Sequence, residues 1–520
     1  MPIIDTDEKI QSSGSLHELE AGTNRKERDQ SLEDSTNVST LTESEERRLW
    51  TKIDLRILPI VSLMYLMSFM DRGNIGNARL QGLESQLHLE GNQYNIALTL
   101  FFVAYCVFPY AYEVQTVNDR WLPGLTVLWG IVMTLMGLVK NYPQLVATRV
   151  LLGVSEAGLF PGVTYCLTLW YPRHSLQVRI ALFHGAASLA GAFSGLLAFG
   201  ISFMDGTQGL LGWSWIFIIE GIATVAVGLL AFWLVVDLPE TAKFLTPEER
   251  AFVITKRSTS LRSLAYCVNL RTNSLSVEMD ISFVGEEEHF EMKHIIQALT
   301  DWKLWIQFPT YFGVLVPLYG ITLFLPTIIN AFGERSTAIT QLLTVPPYIF
   351  GTILIMLFAH LSDKLKIRSP FILLSLVLCL IEFSINISDT SSGVKYFGTF
   401  FIVGGAYAGV PGLSAWFGNN VSGRYRRAVG LALQVGVGNF SGVIASNIYR
   451  TQDSPRFVLG HGLELMFVGM GLILLPIMTF IYARINRKRD ALEERGGGRV
   501  FTHEELRALG DRAPNFRYTL

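Results

Sequence analysis

Charged residues are scarce in this sequence, and their scarcity already indicates the class of protein. Asp, Glu, Lys and Arg make up 17% of the 520 residues, whereas soluble proteins usually carry about 25%. Hydrophobic residues account for 50% of the chain, and the mean hydropathy is +0.35. The apolar residues come in long blocks that short polar stretches separate. This composition argues against a soluble enzyme.

Motifs that would indicate other functions are also missing. The net charge is -2 without a basic cluster, which argues against a nucleic-acid partner. The four cysteines are far apart and show no spacing typical of a metal site, a redox pair or a disulfide framework. Because the sequence has neither a phosphate-binding loop nor a nucleophile motif, we expect no ATP hydrolysis, no enzyme activity, no metal and no cofactor.

Twelve apolar blocks are long enough to cross a lipid bilayer, which takes about 20 residues for about 30 Å of hydrocarbon. They are predicted near residues 55–78, 95–112, 122–139, 144–171, 179–204 and 213–236, and near 304–330, 338–361, 370–388, 394–418, 428–448 and 461–483. The sequence thus predicts an all-α membrane protein with twelve transmembrane helices in two six-helix halves. The predicted divisions are a disordered cytosolic tail at 1–50, a first half at 51–236, a cytosolic loop at 237–303, a second half at 304–484 and a cytosolic tail at 485–520.

Lys and Arg indicate the orientation of these spans. They are concentrated in the short loops that follow even-numbered spans and in the central loop, and they are sparse in the other loops. Because cytoplasmic loops carry an excess of Lys and Arg, both chain ends are predicted to be cytosolic. In the central loop, Thr246 followed by Pro247, Glu248 and Glu249 predicts the start of a helix.

An internal repeat relates the two halves. Gly-Val-Ser-Glu-Ala-Gly at 153–158 with Pro-Gly at 161–162 recurs as Gly-Gly-Ala-Tyr-Ala-Gly at 404–409 with Pro-Gly at 411–412. These runs lie in the fourth and tenth spans. Two similar halves with a site between them at the membrane midplane are typical of secondary transporters. The alternative is chance similarity between helices rich in small packing residues.

Charged residues inside spans are the first candidates for function, since a charge at the bilayer centre costs at least about 2.5–3.5 kcal/mol. The first span holds Asp71 and Arg72, and the fourth holds Glu156 with Arg149 on the same helical face. Arg72 can bind a substrate carboxylate, or it can form a structural ion pair with Asp71 or Glu156. Asp71 and Glu156 can carry protons because desolvation favours the neutral carboxyl. The alternative for Glu156 is a fixed pair with Arg149.

Uncharged side chains form a second group of candidates. Asn77 follows Arg72 in the first span. The second half contributes Trp416, Gln434 and Asn439, which could hydrogen-bond a substrate or hold helices together.

The run from Tyr65 to Leu80, Tyr-Leu-Met-Ser-Phe-Met-Asp-Arg-Gly-Asn-Ile-Gly-Asn-Ala-Arg-Leu, resembles the major facilitator superfamily. More closely, the chain resembles the anion:cation symporters, in particular the fungal allantoate and nicotinate permeases. Matching runs follow at 149–162, 170–173, 212–221, 239–245, 319–326, 416–420 and 438–450. The resemblance covers about residues 48–490.

This resemblance implies proton-coupled uptake of a small organic carboxylate by alternating access. In related bacterial and vesicular transporters a first-span Arg, which matches Arg72, binds the substrate carboxylate. The fourth-span Glu that senses protons matches Glu156, and the bacterial first-span Asp matches Asp71. Within the matching runs, Tyr319 joins Arg72, Asn77, Trp416, Gln434 and Asn439 in the expected substrate-binding set.

The chain departs from the family pattern after Phe108. There 109–120 is shorter than usual and lacks the family's Glu-Val-Pro-Ser-Asn motif, and 258–290 is longer than usual. We therefore keep two expectations. The first is a monomeric proton symporter of the plasma membrane for a nicotinate- or allantoate-like anion. The second is a nutrient sensor on the same fold that transports poorly.

Overall fold

The structure, a computed structural model, describes residues 42–108, 120–171, 173–235, 239, 242–254, 256, 292–333, 336–454, 456–494 and 509–520. Within these ranges every regular element is a helix. The chain divides into two compact units. The small unit comprises Met1–Asp54 and Leu238–Leu275, and the large unit comprises Leu55–Asp237 and Ser276–Leu520. The expectations for residues 109–119 and 258–290 lie outside the described residues.

Each of the twelve predicted spans overlaps a helix or a helix pair. In chain order they are α1 Glu43–Leu80, α2 Gln93–Val107, α3 Trp121–Met136, α4 Tyr142–Glu156 with Leu159–Trp170, α5 Arg173–Ile201, α6 Gly212–Leu234, α7 Trp302–Ala331, α8 Thr337–Leu342 with Val345–Leu365, α9 Ser369–Ile387, α10 Ser392–Asn420, α11 Arg424–Ala445 and α12 Val458–Glu494. The first helix already includes residues 43–50, and the last continues past residue 484.

Most of these helices have the dimensions of membrane spans. Among the described residues, nine are long and apolar enough to cross a bilayer, and α2, α3 and α11 contain shorter apolar helices. Large apolar side chains point outward from the bundle: Trp233 is 81% exposed and Phe480 is 66% exposed. Exposed apolar surface on this scale fits a lipid environment rather than water.

The fourth span is interrupted directly after Glu156. Its first segment ends at Glu156 and the second begins at Leu159. Pro161 has no N–H to donate to the carbonyl of Ala157, so the helical hydrogen-bond ladder loses a bond there. The related α10 contains Pro411 and stays continuous.

The two halves meet closely at one end of the bundle, which we call the closed end. Asn95 of α2 donates to the carbonyl of Ser446 at 2.6 Å, and Gln81 donates to Oε1 of Gln341 at 3.3 Å. A Cβ atom on Gly76 would lie 2.5 Å from the backbone oxygen of Leu323. These contacts bring α1 and α2 of the first half directly against the second half.

The helix predicted in the central loop is confirmed, and it lies in the small unit. Residues 247–254 are helical, Thr246 Oγ1 accepts from the Glu249 amide at 3.2 Å, and Glu249 accepts from the Thr246 amide at 2.9 Å. This reciprocal pair is a capping box. Lys52 also pairs with Glu249 at 2.8 Å.

The last residues, 509–520, fold back onto the second half. Asp511 is 3% exposed and accepts hydrogen bonds from Lys303 of α7 and Arg426 of α11. Burial alone would raise the pKa of Asp511, but the charges of Lys303 and Arg426 outweigh it and lower that pKa below its ordinary value. The carboxylate is therefore ionised at neutral pH and holds two helices together.

Three further contacts fasten this C-terminal segment. The carbonyl of Thr519 accepts from Trp416 Nε1 at 2.8 Å and from Asn420 Nδ2 at 3.1 Å. The ring of Tyr518 stacks on Tyr482 with centroids 4.5 Å apart. The segment thus joins α10 and α12 to the helices that Asp511 holds.

We expect Gly76→Ala to weaken the closed end. The added methyl group must push α1 away from the backbone of α7, and such overpacking typically costs about 1–3 kcal/mol. A cysteine placed at Gln81 should react faster with a membrane-impermeant maleimide in the Gly76→Ala background. The matched control is Gly200→Ala, because no atom lies within 4 Å of a Cβ there. Equal labelling rates in all backgrounds would contradict this assignment.

We expect Asp511→Asn to lower the melting temperature of the purified protein at neutral pH. Among the described residues, Lys303, which is 1% exposed, would keep only Asp301 at 3.4 Å as an acidic partner. The loss should be about 1–3 kcal/mol, less than the 3–5 typical when a buried charge loses every partner.

The pH dependence of this stabilisation follows from the lowered pKa of Asp511. The stabilisation is present above the unfolded pKa of about 3.9 and is lost as the pH falls through the folded value. The control is Arg517→Ala, which removes exposed pairs with Asp490 and Glu493 and should cost at most about 1 kcal/mol. Equal melting temperatures for Asp511→Asn and the unaltered protein would show that the segment stabilises nothing.

Candidate functional site

A buried ion pair lies at the centre of the first half. Arg72 of α1 donates from Nη2 to Oε1 of Glu156 in α4, and Ser68 Oγ donates to the same oxygen. Arg72 is 1% exposed and Glu156 is fully buried. Of the alternatives for Arg72, the structure shows the pair with Glu156. Glu156 correspondingly pairs with Arg72 rather than with Arg149.

This pair leaves hydrogen-bonding capacity unused. Arg72 Nε and Glu156 Oε2 have no hydrogen-bond partner among the described residues. A buried unpaired polar atom costs about 1–3 kcal/mol. The two side chains therefore retain one donor and one acceptor that a bound molecule or a proton can satisfy.

Aromatic rings surround the Arg72 guanidinium. Its Cζ lies 4.5 Å from the ring centroid of Tyr105, 4.8 Å from Phe69 and 5.6 Å from Phe101. The Tyr319 ring of α7 is 6.0 Å away. Cation–π contacts of this kind stabilise a cation by about 0.5–2 kcal/mol each. We call these four rings the cage. Because Tyr319 belongs to the second half, the cage spans the boundary between the halves.

Tyr319 extends this group to α11. Its hydroxyl donates to Oδ1 of Asn439 at 2.8 Å. Gln434 of α11 is fully buried, and neither its Oε1 nor its Nε2 has a hydrogen-bond partner among the described residues. The structure thus links Asn439 to Arg72 through Tyr319.

Asn77 lies beside a small cavity between the halves. Its Nδ2 donates to Ser194 Oγ at 2.8 Å, and Ser194 donates to Oδ1 of Asn74 at 2.7 Å. The cavity has a volume of about 20 Å³, enough for a single water molecule. Its lining comes from both halves: Phe69, Gly73, Asn77, Ala187, Gly191, Ser194, Thr322, Pro326, Thr344, Tyr348 and Tyr407.

Asp71 points away from Arg72, because consecutive helix residues differ by about 100° in direction. Its Oδ2 accepts from Trp129 Nε1 at 3.2 Å and from Thr224 Oγ1 at 2.9 Å. Glu220, one turn before Thr224 in α6, is fully buried, and neither of its oxygens has a partner among the described residues. Asp71 therefore belongs to a second polar group inside the first half, between α1, α3 and α6.

Trp416 is not brought to the other candidates. It lies nine residues after Tyr407 in α10, about 13 Å further along a helix that rises about 1.5 Å per residue. Its ring is fully buried against Tyr482, and its N–H is bonded to Thr519. Its observed contacts fasten the C-terminal segment.

Sequence reasoning missed Tyr407 and Tyr348 as cavity residues. Tyr407 shares a hydrogen bond of 2.8 Å with Thr322 of α7. The internal repeat contained the signal, because Tyr407 takes the place in its motif that Glu156 takes in the first half. No comparable motif surrounds Tyr348.

We expect Arg72 and Glu156 to be energetically coupled. Replacing either one by Gln leaves the other charge buried without its partner, which typically costs about 3–5 kcal/mol. The double variant Arg72→Gln/Glu156→Gln should lose less stability than the sum of the two single variants. Melting temperatures of the three purified variants measure this difference. Strictly additive losses would contradict the coupling, and Glu220→Gln combined with Arg72→Gln is the control pair expected to be additive.

Comparisons with known proteins agree with this architecture. The model of the Major Facilitator Superfamily matches residues 61–446. The solved structure of the proton:xylose symporter XylE bound to 6-bromo-6-deoxy-D-glucose superposes with a TM-score of 0.61 at 13% identity, covering 82% of this chain and 95% of that one.

Fungal relatives are similar over almost the whole chain. The major facilitator-type transporter hxnP of Emericella nidulans is 32% identical, with 99% of this chain and 98% of the relative covered. The high-affinity nicotinic acid transporter of Saccharomyces cerevisiae is 30% identical over 91% of this chain and 85% of its own. This chain is thus a multi-pass membrane transporter that belongs to the Major Facilitator Superfamily.

Proposed function

We propose that this protein imports a small monocarboxylate, with nicotinate as the leading candidate, in symport with protons. The observation that carries the proposal is the buried Arg72–Glu156 pair inside an aromatic cage between the two halves. The similarity to a nicotinic acid transporter supports the choice of substrate.

The Arg72 guanidinium suits an anionic aromatic substrate. Its fork of donors matches a carboxylate, and it stays charged at every physiological pH. Phe69, Tyr105 and Tyr319 offer ring faces and edges for an aromatic acid such as nicotinate. Gln434 and Asn439 supply amide groups from the second half.

Glu156 provides the coupling to protons. While ionised, it occupies Arg72 and competes with a substrate carboxylate for the same donors. Protonation removes this competition and releases Arg72, so that one proton and one carboxylate bind together. Their binding replaces the original ion pair by a new pair between Arg72 and the substrate, which keeps the buried cation neutralised. Asp71 is a second candidate proton carrier.

Alternating access then exposes the site to one side of the membrane at a time. The closed end separates the cage from the side that the Lys and Arg distribution assigns to the outside. Opening must therefore break the contacts of Asn95 and Gln341. We propose a monomer in the plasma membrane with both chain ends in the cytosol.

We expect acid-stimulated accumulation of labelled nicotinate in yeast that lacks its own nicotinate and allantoate permeases. Arg72→Lys should reduce uptake at least about tenfold, because charged hydrogen bonds are worth about 1.5–3 kcal/mol and Lys lacks the fork. Nicotinamide, which has the same ring without the charge, should not compete. Allantoate, pantothenate and biotin complete the panel.

Glu156→Gln separates binding from coupling. Its neutral side chain imitates the protonated acid, so it should still exchange labelled for unlabelled nicotinate across the membrane. It should not accumulate nicotinate, and its uptake should no longer depend on pH. Arg517→Ala, a change at a half-buried residue of the C-terminal segment, is the expression control. Accumulation by Glu156→Gln equal to the unaltered protein would overturn the coupling role. No transport despite surface expression, with nicotinate-dependent signalling, would favour the sensor.

A further inference from the structure

A second pair of acidic residues lies buried in the second half. Glu382 of α9 is 1% exposed and Glu464 of α12 is fully buried. Helices α9 and α12 pack against each other, and the two carboxyl groups are close enough for their charges to interact. Neither residue belongs to the Arg72 cage, and the proposed function does not use them.

These acids have no basic partner in the part of the chain that the structure describes. No ion pair to Glu382 or Glu464 occurs among the described residues, whereas Glu156 has Arg72. Both oxygens of Glu464 and Oε2 of Glu382 have no hydrogen-bond partner there. Two unpaired carboxylates in hydrocarbon would cost far more than the neutral acids. This environment requires a bound proton or another cation.

The Glu464 carboxyl lies beside Gly320 of α7. A Cβ atom on Gly320 would clash with Oε1 of Glu464, and it would lie 3.5 Å from the ring of Tyr449. The carboxyl is thus located between α7 and α12.

A pocket at the closed end is lined by two residues that neighbour the acids, although the acids themselves do not line it. Its volume is about 100 Å³, which admits several water molecules. Asn386 and His461 line it, although they are only 3% and 2% exposed. Asn386 donates from Nδ2 to Oε1 of Glu382, and its Oδ1 has no partner among the described residues. His461 is one helical turn before Glu464 and contacts the Tyr449 hydroxyl through Nδ1 at 3.2 Å.

We propose that Glu382 and Glu464 form a second proton-binding site, which exchanges protons with water in this pocket past His461 and Asn386. On release, the carboxyl O–H bond breaks and the proton passes to a water molecule or to a His461 ring nitrogen. Its part in transport rests on the proton-coupled cycle proposed above, where it adds a proton to the one carried by Glu156. The binding of protons itself does not rest on that cycle.

The surrounding groups favour a proton over a metal ion. Cys379 of α9 and Tyr449 are the titratable groups close to both acids, and His461, Lys395 of α10 and Arg456 line the pocket. Arg456 also pairs with Asp389 at 3.5 Å. The basic side chains in the lining disfavour a metal cation and leave water-borne proton exchange possible. No cluster of three or more potential metal ligands occurs among the described residues.

The test is infrared difference spectroscopy of the full-length protein in lipid nanodiscs, titrated with acid and base in H₂O and D₂O. Protonated carboxyl groups give a C=O band that shifts in D₂O. We expect Glu382→Gln/Glu464→Gln to lose a titrating, exchangeable part of this band that Glu156→Gln keeps. Glu494→Gln, at the exposed end of α12, should leave the band unchanged.

Three outcomes would contradict this second proton-binding site. An unchanged band in the double variant would show that these acids bind no titrating proton. Loss of the band on adding Na⁺ at constant pH would assign the site to a metal cation instead. If the double variant misfolds, Glu382→Gln and Glu464→Gln are measured singly, and each should remove part of the band. A band lost in Glu156→Gln alone would support the proposed coupling and overturn only the second site.

Discussion

A charge that is buried in hydrocarbon needs a counter-charge, and the Arg72–Glu156 pair shows how this constraint organises the protein. Neither side chain has access to water, so each stabilises the other. The pair draws α1 and α4 together and attracts aromatic rings from α2 and α7. In the proposed cycle, a substrate carboxylate replaces Glu156 as the partner of Arg72. The electrostatic requirement that stabilises the empty protein would then also favour an anion.

The two halves use their polar groups differently, although their fourth and tenth spans contain similar runs. The first half places Glu156 beside a cation, whereas the related position in the second half holds Tyr407, which bonds to Thr322. Two buried acidic residues of the second half, Glu382 and Glu464, lie elsewhere and have no ion-pair partner among the described residues. The tenth span stays continuous where the fourth is interrupted at Ala157, although both contain the Pro-Gly element.

The second half is fastened at the end that carries the C-terminal segment, opposite the closed end. Asp511 holds α7 and α11, and Thr519 holds α10 through Trp416 and Asn420. These bonds join helices of one half and do not cross to the other. A half that is held together in this way can move as a unit, which alternating access requires.

The sequence by itself determined the helical class and twelve apolar segments that each overlap a helix, and it identified Arg72 and Glu156 as candidates. Hydrocarbon forces the backbone to satisfy its own hydrogen bonds, so long apolar runs indicate helices directly. A charge within such a run is costly wherever its side chain points. For this reason the sequence alone identified Asp71, Arg72 and Glu156 as candidates. The capping box at Thr246 is equally local, since its two bonds lie within four residues.

Only the tertiary structure decided which polar groups meet. Asp71 and Arg72 are neighbours in sequence, yet helical geometry sends them to different partners. Trp416 belongs to a matching motif, but the chain end 103 residues later in the sequence occupies its N–H. Such pairings depend on how helices far apart in sequence are packed, and hydropathy and motif spacing do not record that packing. The Glu382–Glu464 pair is of the same kind, because each acid alone looks like an isolated charge in an apolar helix.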